Sequence, residues 1–415
     1  MILLFIFFLF LFIALLKNRS VAVLLVFIQL LSVGGSFFLG RELKIDTLDD
    51  YGILLLTALL LFQIVFPWKD YRDVKRIFVE NEKKIKLLTK VLIALSSISF
   101  IILLFTTILV QSSVSDINDY KYGEGVQQDF INRFFPFPLI FLSIAIIFSN
   151  FAHFLLPLHF YYLSVKKYKL SLVCFILSLN IVLLGMTYFS RAVVIHYVFL
   201  YIGMLFLLYG IFTDKIKRNI KRIGIFVGVV ATLYFLDLSV RRFEEDADLA
   251  RKYGKTIPVG AITQNPLVFS YLDYLSQGYL NGFEVMQLYR GEGFDGAITF
   301  EKLSIMMTSE YETYLRLKKR QRLWPYHYSY SFTGYPAYSL YDYGIFGSVI
   351  LGFIYYFFVW RMRPKRQTLS MRNLFWIVLL IQIPLISIFY SEVGGLIIAL
   401  ILALFIWIFL KFNLK

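Results

Sequence analysis

Apolar segments long enough to cross a membrane fill this chain except for one long interval, residues 241–343. Hydrophobic residues make up 59% of the chain and charged residues only 17%, too few polar groups to cover a water-soluble protein of 415 residues. The bilayer is therefore the expected solvent, and the expected fold class is an all-α, polytopic integral membrane protein. The interval at 241–343 is too long for a connecting turn, and it is expected to hold most of the reactive side chains.

Eleven apolar segments are predicted to span the membrane, although the first and the third are short for a hydrocarbon core that needs about 17–25 residues of helix. They are residues 1–16, 20–40, 53–67, 91–111, 137–157, 170–189, 192–213, 223–240, 344–361, 373–390 and 393–410. The predicted domains are transmembrane helices 1–8 in residues 1–240, a large extracytoplasmic loop with short helices in residues 241–343, and transmembrane helices 9–11 in residues 344–415.

The distribution of basic residues predicts the orientation. Lys and Arg clusters follow the odd-numbered spans, with the longest cluster in residues 68–90, whereas acidic residues lie in the alternate loops 41–52 and 112–136. Because cytoplasmic loops carry the excess of Lys and Arg, the N-terminus is predicted outside, the C-terminus inside and residues 241–343 outside. The same bias accounts for the net charge of +15, so no nucleic-acid partner is expected.

Several function classes are disfavoured by the motifs that the sequence lacks. A single cysteine, Cys174, cannot form a disulfide framework or a thiolate metal site. The chain has no P-loop, no dinucleotide-binding fingerprint and no HExxH pattern, so ATP-driven transport within this chain is not expected. It also shows no clear internal repeat, which weighs against a secondary transporter.

Three arginines are predicted near the outer face of the membrane. Arg191 lies in the short turn between spans six and seven, and Arg241 and Arg242 follow span eight. A guanidinium near the bilayer usually has a partner, and its planar donors match two oxygens of a phosphate. Two interpretations account for an arginine at position 191: it binds a phosphate of the substrate, or it contacts lipid headgroups. An ion pair with Asp237 is the structural alternative for Arg241.

The end of the large loop is rich in tyrosine, and it contains His327 and Asp342. Tyrosine rings suit either a membrane interface or the apolar face and hydroxyl rim of a sugar. His327 and Asp342 are candidates to accept a proton, although a lone loop histidine is often incidental. Gly344 and Gly347 permit a tight entry into span nine. The tyrosines of this stretch are Tyr326, Tyr328, Tyr330, Tyr335, Tyr338, Tyr341 and Tyr343.

The order of these features resembles a known family. Several spans precede an outer hairpin with an arginine, a span ending in arginine, and a large outer loop that closes on FTGYPAY at 332–338 and YDYGIFG at 341–347. This arrangement resembles the oligosaccharide repeat-unit polymerases of bacterial O-antigen and capsule assembly, the Wzy type. The likeness in architecture covers nearly the whole chain, and the local motif covers only the end of the loop.

The resemblance implies a GT-C-like membrane glycosyltransferase of polysaccharide or lipopolysaccharide biosynthesis, at the outer face of the cytoplasmic membrane. Such an enzyme transfers a growing glycan from undecaprenyl pyrophosphate to the next lipid-linked repeat unit, with inversion at the anomeric carbon and with no metal or other cofactor. Its partners would be the lipid-linked oligosaccharide, the bilayer and a chain-length regulator protein.

The reaction that the resemblance implies gives candidate roles to the residues singled out above. Arg191, Arg241 and Arg242 would bind the pyrophosphate, and His327 and Asp342 would be catalytic. Tyr326, Tyr328, Tyr335 and Tyr338 would bind the sugar. Two alternatives stay open: a ligase that moves O-antigen onto lipid A by a similar plan, and a flippase or transporter for lipid-linked oligosaccharide. The few polar groups within the predicted spans weigh against the flippase.

Overall fold

The computed structural model describes residues 1–18, 20–41, 43, 45–72, 74–114, 120, 139–222, 224, 228, 229, 233, 236, 237, 257–300, 323, 332–391 and 393–412, and only these are discussed below. The described part is mostly helical and contains six helices long and apolar enough to cross a membrane, or seven if one bent pair counts as a single span. The expected all-α membrane protein is thus supported, and the count of eleven spans stays a prediction.

The helices, in chain order, are α1 (Ile2–Leu16), α2 (Val21–Ser36), α3 (Leu48–Val65), α4 (Glu82–Ser113), α5 (Leu139–Ser149), α6 (Ala152–Ser164), α7 (Tyr168–Ser178), α8 (Asn180–Thr187), α9 (Arg191–Leu208), α10 (Pro266–Gln287), α11 (Gly334–Arg361), α12 (Met371–Leu380), α13 (Gln382–Ile386) and α14 (Val393–Lys411). Two 3-10 helices occupy Phe66–Asp70 and Tyr209–Ile211. Short strands β1 (Arg76–Phe78) and β2 (Thr368–Ser370) pair in parallel.

Each predicted span outside residues 223–240 coincides in position with one helix or with two consecutive helices. The span predicted at 137–157 consists of α5 and α6, which are bent by 44° at the break between them. Residues 170–189 and 373–390 are likewise divided, into α7 and α8 and into α12 and α13. Hydropathy detects the apolar segment, but it does not show where the helix within that segment is interrupted.

The chain forms two compact units. Unit 1 comprises Met1–Asp73, Ile257–Gln367 and Leu379–Ile401, and unit 2 comprises Val74–Thr256, Thr368–Val378 and Leu402–Lys415. Within unit 1, α10 packs against α2, α3 and α11. Part of the predicted extracytoplasmic loop is therefore an integral element of a helical unit. With 22 residues, α10 is also longer than the short helices expected there.

Gly344 divides α11 into two parts. Its φ of 66° and ψ of −178° break the helix, and glycine adopts this conformation without the clash that a Cβ would cause. Residues 334–342 before the break are mostly buried, whereas Phe346 and Ile350 beyond it are 84% and 58% exposed. The apolar, exposed second part has the character of a lipid-facing span. The tight entry predicted at Gly344 therefore agrees with the backbone.

Unit 2 is built around α4, a helix of 32 residues that begins at the N-cap Asn81, whose side chain accepts the N–H of Lys84. Against α4 pack α5, α6, α7 and α8. Polar side chains join these helices: the Thr89 and Tyr162 hydroxyls lie 2.9 Å apart, and Asn180 donates to the Ser96 carbonyl at 2.9 Å. Such hydrogen bonds hold helices together where lipid provides no hydrophobic driving force.

Candidate functional site

Asp342, one of the predicted catalytic residues, lies just before the Gly344 break and is 4% exposed. Its carboxylate accepts the backbone N–H groups of Ile298 and Thr299 at 3.0 and 2.7 Å, and the Thr299 hydroxyl at 2.6 Å. These bonds attach the turn at residues 294–300 to α11. Because the carboxylate is buried and accepts three bonds from this turn, it serves the packing of unit 1 and is not open to a substrate hydroxyl.

Two of the tyrosines predicted to bind sugar, Tyr335 and Tyr338, also belong to α11. Tyr335 is 6% exposed, and its N–H donates to the Ser387 carbonyl at 2.8 Å. Tyr338 is half-buried and packs against the cluster that includes Val285 and Tyr341. Of these two rings, Tyr338 keeps surface that a ligand can contact, whereas Tyr335 belongs to the interior of unit 1.

The remaining predicted site residues have only partial or no structural description. Arg191 is the first residue of α9, and the described residues include its backbone but not its side chain. The positions outside the described residues are Arg241, Arg242, Tyr326, His327 and Tyr328. The predicted pyrophosphate contacts and the predicted histidine base therefore stay predictions.

A row of polar side chains on α10 was not singled out from the sequence. Gln277, Asn281, Glu284 and Gln287 are spaced by three or four residues, which places them along one side of the helix. We call this set the α10 polar row. The spacing is visible in the sequence, but it becomes noticeable only when residues 266–287 are known to form one continuous helix.

Arg41, which follows α2, binds the middle of the α10 polar row. Its Nη1 donates to Asn281 Oδ1 at 2.9 Å, and its Nη2 donates to both carboxylate oxygens of Glu284 at 3.0 and 2.9 Å. The side chains of Arg41 and Glu284 are 29% and 28% exposed. Two opposite charges and an amide are thus held together at a position that solvent reaches.

Asp50 binds the end of the same row. Gln287 Nε2 donates to Asp50 Oδ1 at 2.6 Å, and Asp50 Oδ2 accepts the N–H and the hydroxyl of Thr47, both at 2.9 Å. Thr47 is the N-cap of α3, and its hydroxyl accepts the N–H of Asp50 in return, forming a capping box. The start of α3 is therefore fixed to α10 through one carboxylate.

Two glycines on α10 allow the backbone of other segments to approach the helix closely. A methyl group at Gly278 would overlap the carbonyl oxygen of Ile388, and one at Gly282 would overlap the carbonyl oxygen of Thr333. These glycines are four residues apart, the small-xxx-small spacing that permits close packing in membrane proteins. Any larger residue would push α10 away from the chain at 333 and 388.

A buried hydrogen-bond network continues from this junction. The Tyr279 hydroxyl donates to Gln29 Oε1, and Gln29 Nε2 donates to Ser387 Oγ at 2.9 Å and to the Pro384 carbonyl at 3.3 Å. Burial raises the pKa of Tyr279 well above its ordinary value, so the phenol stays protonated and keeps donating. The network joins α2, α10 and the end of α13.

A small, mostly apolar cavity lies beside the junction, lined by parts of α1, α3 and α10 and by residues 333–336 and 387–388. Thr333, which lines it, is 1% exposed, and its hydroxyl has no hydrogen-bond partner among the described residues. A buried polar atom of this kind is commonly satisfied by an ordered water or by a ligand group. The cavity is too narrow to be the site of a sugar chain.

Among the described residues, no three His, Cys, Asp or Glu side chains are arranged to hold a metal ion. Of the arrangements described, the α10 polar row with Arg41 offers the most binding chemistry, because it combines a cation, a carboxylate and amides. Amides and carboxylates bind sugar hydroxyls, and a guanidinium binds the oxygens of a phosphate.

In comparisons with known proteins, the chain matches no protein-family model, no curated protein and no solved structure.

Proposed function

We propose that this chain is a membrane glycosyltransferase of the repeat-unit polymerase type in a bacterial cytoplasmic membrane. It would transfer a growing glycan from undecaprenyl pyrophosphate to the next lipid-linked repeat unit, on the outer face of the membrane. The proposal rests on the resemblance in architecture and in the loop-closing motif. The abundance of apolar helices supports the membrane location.

The structural observation that best supports an enzyme is the α10 polar row. On the predicted topology, α10 and Arg41 both lie on the outer side, where a lipid-linked glycan would be presented. Arg41, Asn281 and Glu284 form a partly exposed, preorganised set of donors and acceptors there. A set of this kind, partly exposed on the predicted outer side, favours chemistry at the outer face.

The reaction has defined requirements. The bond between the anomeric carbon and the pyrophosphate oxygen breaks with its electron pair on the leaving group, and the acceptor hydroxyl oxygen bonds to the same carbon while losing its proton. Cations near the leaving group stabilise its increasing charge. We assign this role to Arg191, Arg241 and Arg242.

A base must receive the acceptor's proton, and its position should be opposite the leaving group. His327 remains the proposed base. We propose a positioning role for Asp342, because its carboxylate is buried and accepts bonds from Ile298 and Thr299. That role is to hold the turn at 294–300 against α11. Tyr326, Tyr328 and Tyr338 are the tyrosines proposed to contact the sugar.

The decisive experiment is deletion of the gene followed by analysis of surface and lipid-linked glycan. If the protein is a polymerase, the deletion strain should carry single repeat units on an otherwise complete surface glycan. Loss of all attachment to the terminal acceptor would indicate a ligase instead, and accumulation of repeat-unit lipid on the inner leaflet would indicate a flippase. Purified protein in vesicles should then lengthen an undecaprenyl-pyrophosphate-linked repeat unit without added nucleotide sugar.

A further inference from the structure

An exposed apolar turn lies between residue 257 and the start of α10. Val259 is 99% exposed and Ile262 is 63% exposed, although the segment belongs to an interval predicted to lie outside the membrane. The turn is ordered by its backbone, since the N–H of Ala261 donates to the Pro258 carbonyl at 3.0 Å. A pair of β-branched apolar side chains on a tight turn is unfavourable in water and suits an apolar environment.

This turn is attached to the end of α2. The N–H of Ile262 donates to the Phe38 carbonyl at 3.0 Å, and the backbone of Gly40 lies so close to Gly260 and Ala261 that a methyl group at Gly40 would overlap them. Phe37 and Phe38 are themselves 44% and 45% exposed. The apolar turn therefore shares one surface with the two phenylalanines.

The surface continues along α2. Phe27 and Leu31 are 44% and 55% exposed, and their spacing of four residues places them on one side of α2, which ends shortly before Phe37 and Phe38. Because α2 lies within a predicted span, an exposed apolar stripe on it is suited to contact with lipid. The turn at 258–262 thus continues the apolar stripe of α2 beyond the end of that helix. Because the turn and the stripe form one apolar surface, we expect the bilayer to cover both.

We propose that residues 258–262, with Phe37 and Phe38, insert into the outer leaflet as an apolar anchor that holds the start of α10 at the membrane surface. The partner is the acyl and headgroup boundary of the lipid, contacted without a specific headgroup. This interaction does not depend on the proposed glycan chemistry, so either idea can fail while the other stands.

The test uses the whole protein in vesicles of phosphatidylethanolamine and phosphatidylglycerol. The only cysteine, Cys174, is buried and is replaced by serine, and single cysteines are introduced by Val259→Cys and Ile262→Cys and carry a nitroxide spin label. Glu292→Cys, at an exposed polar position, is the matched control. Accessibility of each label to oxygen, which concentrates in lipid, is compared with accessibility to a water-soluble nickel complex.

We expect the labels at 259 and 262 to favour oxygen over nickel, and the label at 292 to favour nickel. Preference for nickel at 259 and 262 would overturn the anchor, because it would place the turn in water. Low accessibility to both reagents would also overturn it, since another part of the chain or a second copy would then cover the turn. Cysteine substitution at these exposed positions removes no packed side chain, so the fold should tolerate it.

Discussion

The Arg41 guanidinium donates to both carboxylate oxygens of Glu284, at 3.0 and 2.9 Å, and thereby joins the segment after α2 to the middle of α10. The two residues are separated by more than half of the chain, so their contact exists only after unit 1 has folded. Both are about 30% exposed, so the pair combines a structural role with access to a ligand.

The first prediction separates these two roles. Arg41→Gln and Glu284→Gln should each lower the free energy of unfolding, with a coupling of about 1 kcal/mol in a double-mutant cycle. The charge swap Arg41→Glu with Glu284→Arg should restore much of the stability, measured by thermal unfolding in detergent. If the α10 polar row binds substrate, the swapped protein should still fail to make long glycan. Normal ladders from the swapped protein would mean that the pair is structural only.

The second prediction concerns the glycine junction. Gly278→Ala should lower the free energy of unfolding by about 1–3 kcal/mol, because the new methyl group overlaps the Ile388 carbonyl. The matched control is Gly52→Ala, within α3, where a methyl group meets nothing within 4 Å. That change should be neutral or stabilising by up to about 1 kcal/mol through helix propensity. Equal thermal stability of the two variants would contradict the close approach.

The third prediction tests the positioning role of Asp342. In Asp342→Asn, the amide replaces one carboxylate oxygen by an NH₂ group, which cannot accept a bond, and the remaining oxygen is a weaker acceptor for the N–H groups of Ile298 and Thr299. The change should therefore lower the free energy of unfolding by about 1.5–3 kcal/mol. Thr299→Val should cost about 1 kcal/mol, and the two effects should be less than additive. Stability is measured by denaturant or thermal unfolding, with limited proteolysis near residue 300 as a local readout. Full additivity would show that the two residues do not act together.

The fourth prediction addresses orientation. A reporter fused after Arg290, an exposed residue that follows α10, should be extracytoplasmic. Alkaline phosphatase, which is active only outside the cytoplasm, should therefore be active there, and green fluorescent protein should be dark when exported unfolded. A second fusion within residues 82–90 should show the opposite pattern. Cytoplasmic reporter activity at 290 would overturn the predicted topology and, with it, the proposed outer-face site.

The fifth prediction concerns the pyrophosphate. Arg191→Ala and Arg241→Ala should abolish long-chain glycan while single-repeat lipid-linked units persist, because the charge of the leaving group would lose its stabilising cations. Polysaccharide gels of cells producing each variant measure this directly, with membrane levels of the protein checked by immunoblot. The lysine variants should retain partial activity, since they keep the charge without the bidentate geometry. Ladders of normal length from both alanine variants would refute the assignment.

Much of the helical pattern was predictable because a bilayer-spanning helix must be apolar over most of its length. The positions of α1 and α14 follow from runs of apolar residues, and the entry to the lipid-facing part of α11 follows from Gly344, whereas α4 begins nine residues before its predicted span, in a charged stretch. The breaks between α5 and α6 and between α12 and α13 were not predicted. Pro384 is a local signal for the second break, because it lacks the N–H that would bond to the Leu380 carbonyl, which accepts the Tyr355 hydroxyl at 2.9 Å instead.

The candidate site was less predictable than the helices. Asp342 was recognised as a carboxylate at the mouth of a span, but its engagement by Ile298 and Thr299 required the turn at 294–300 to fold against α11. Arg41 was not predicted as a site residue, because the sequence gives no partner for an isolated arginine in an acidic loop. The GxxxG spacing of Gly278 and Gly282 is visible in the sequence, but the sequence does not show which backbone segments pack against these two glycines.

The sequence by itself determined the membrane environment and the helical class, since these follow from composition and apolar run length, which are local properties. Only the tertiary structure decided that residues 266–287 form a helix built into unit 1, and that Arg41 meets Glu284 there. Those contacts join segments hundreds of residues apart, and their partners are selected by packing geometry rather than by any pattern along the chain.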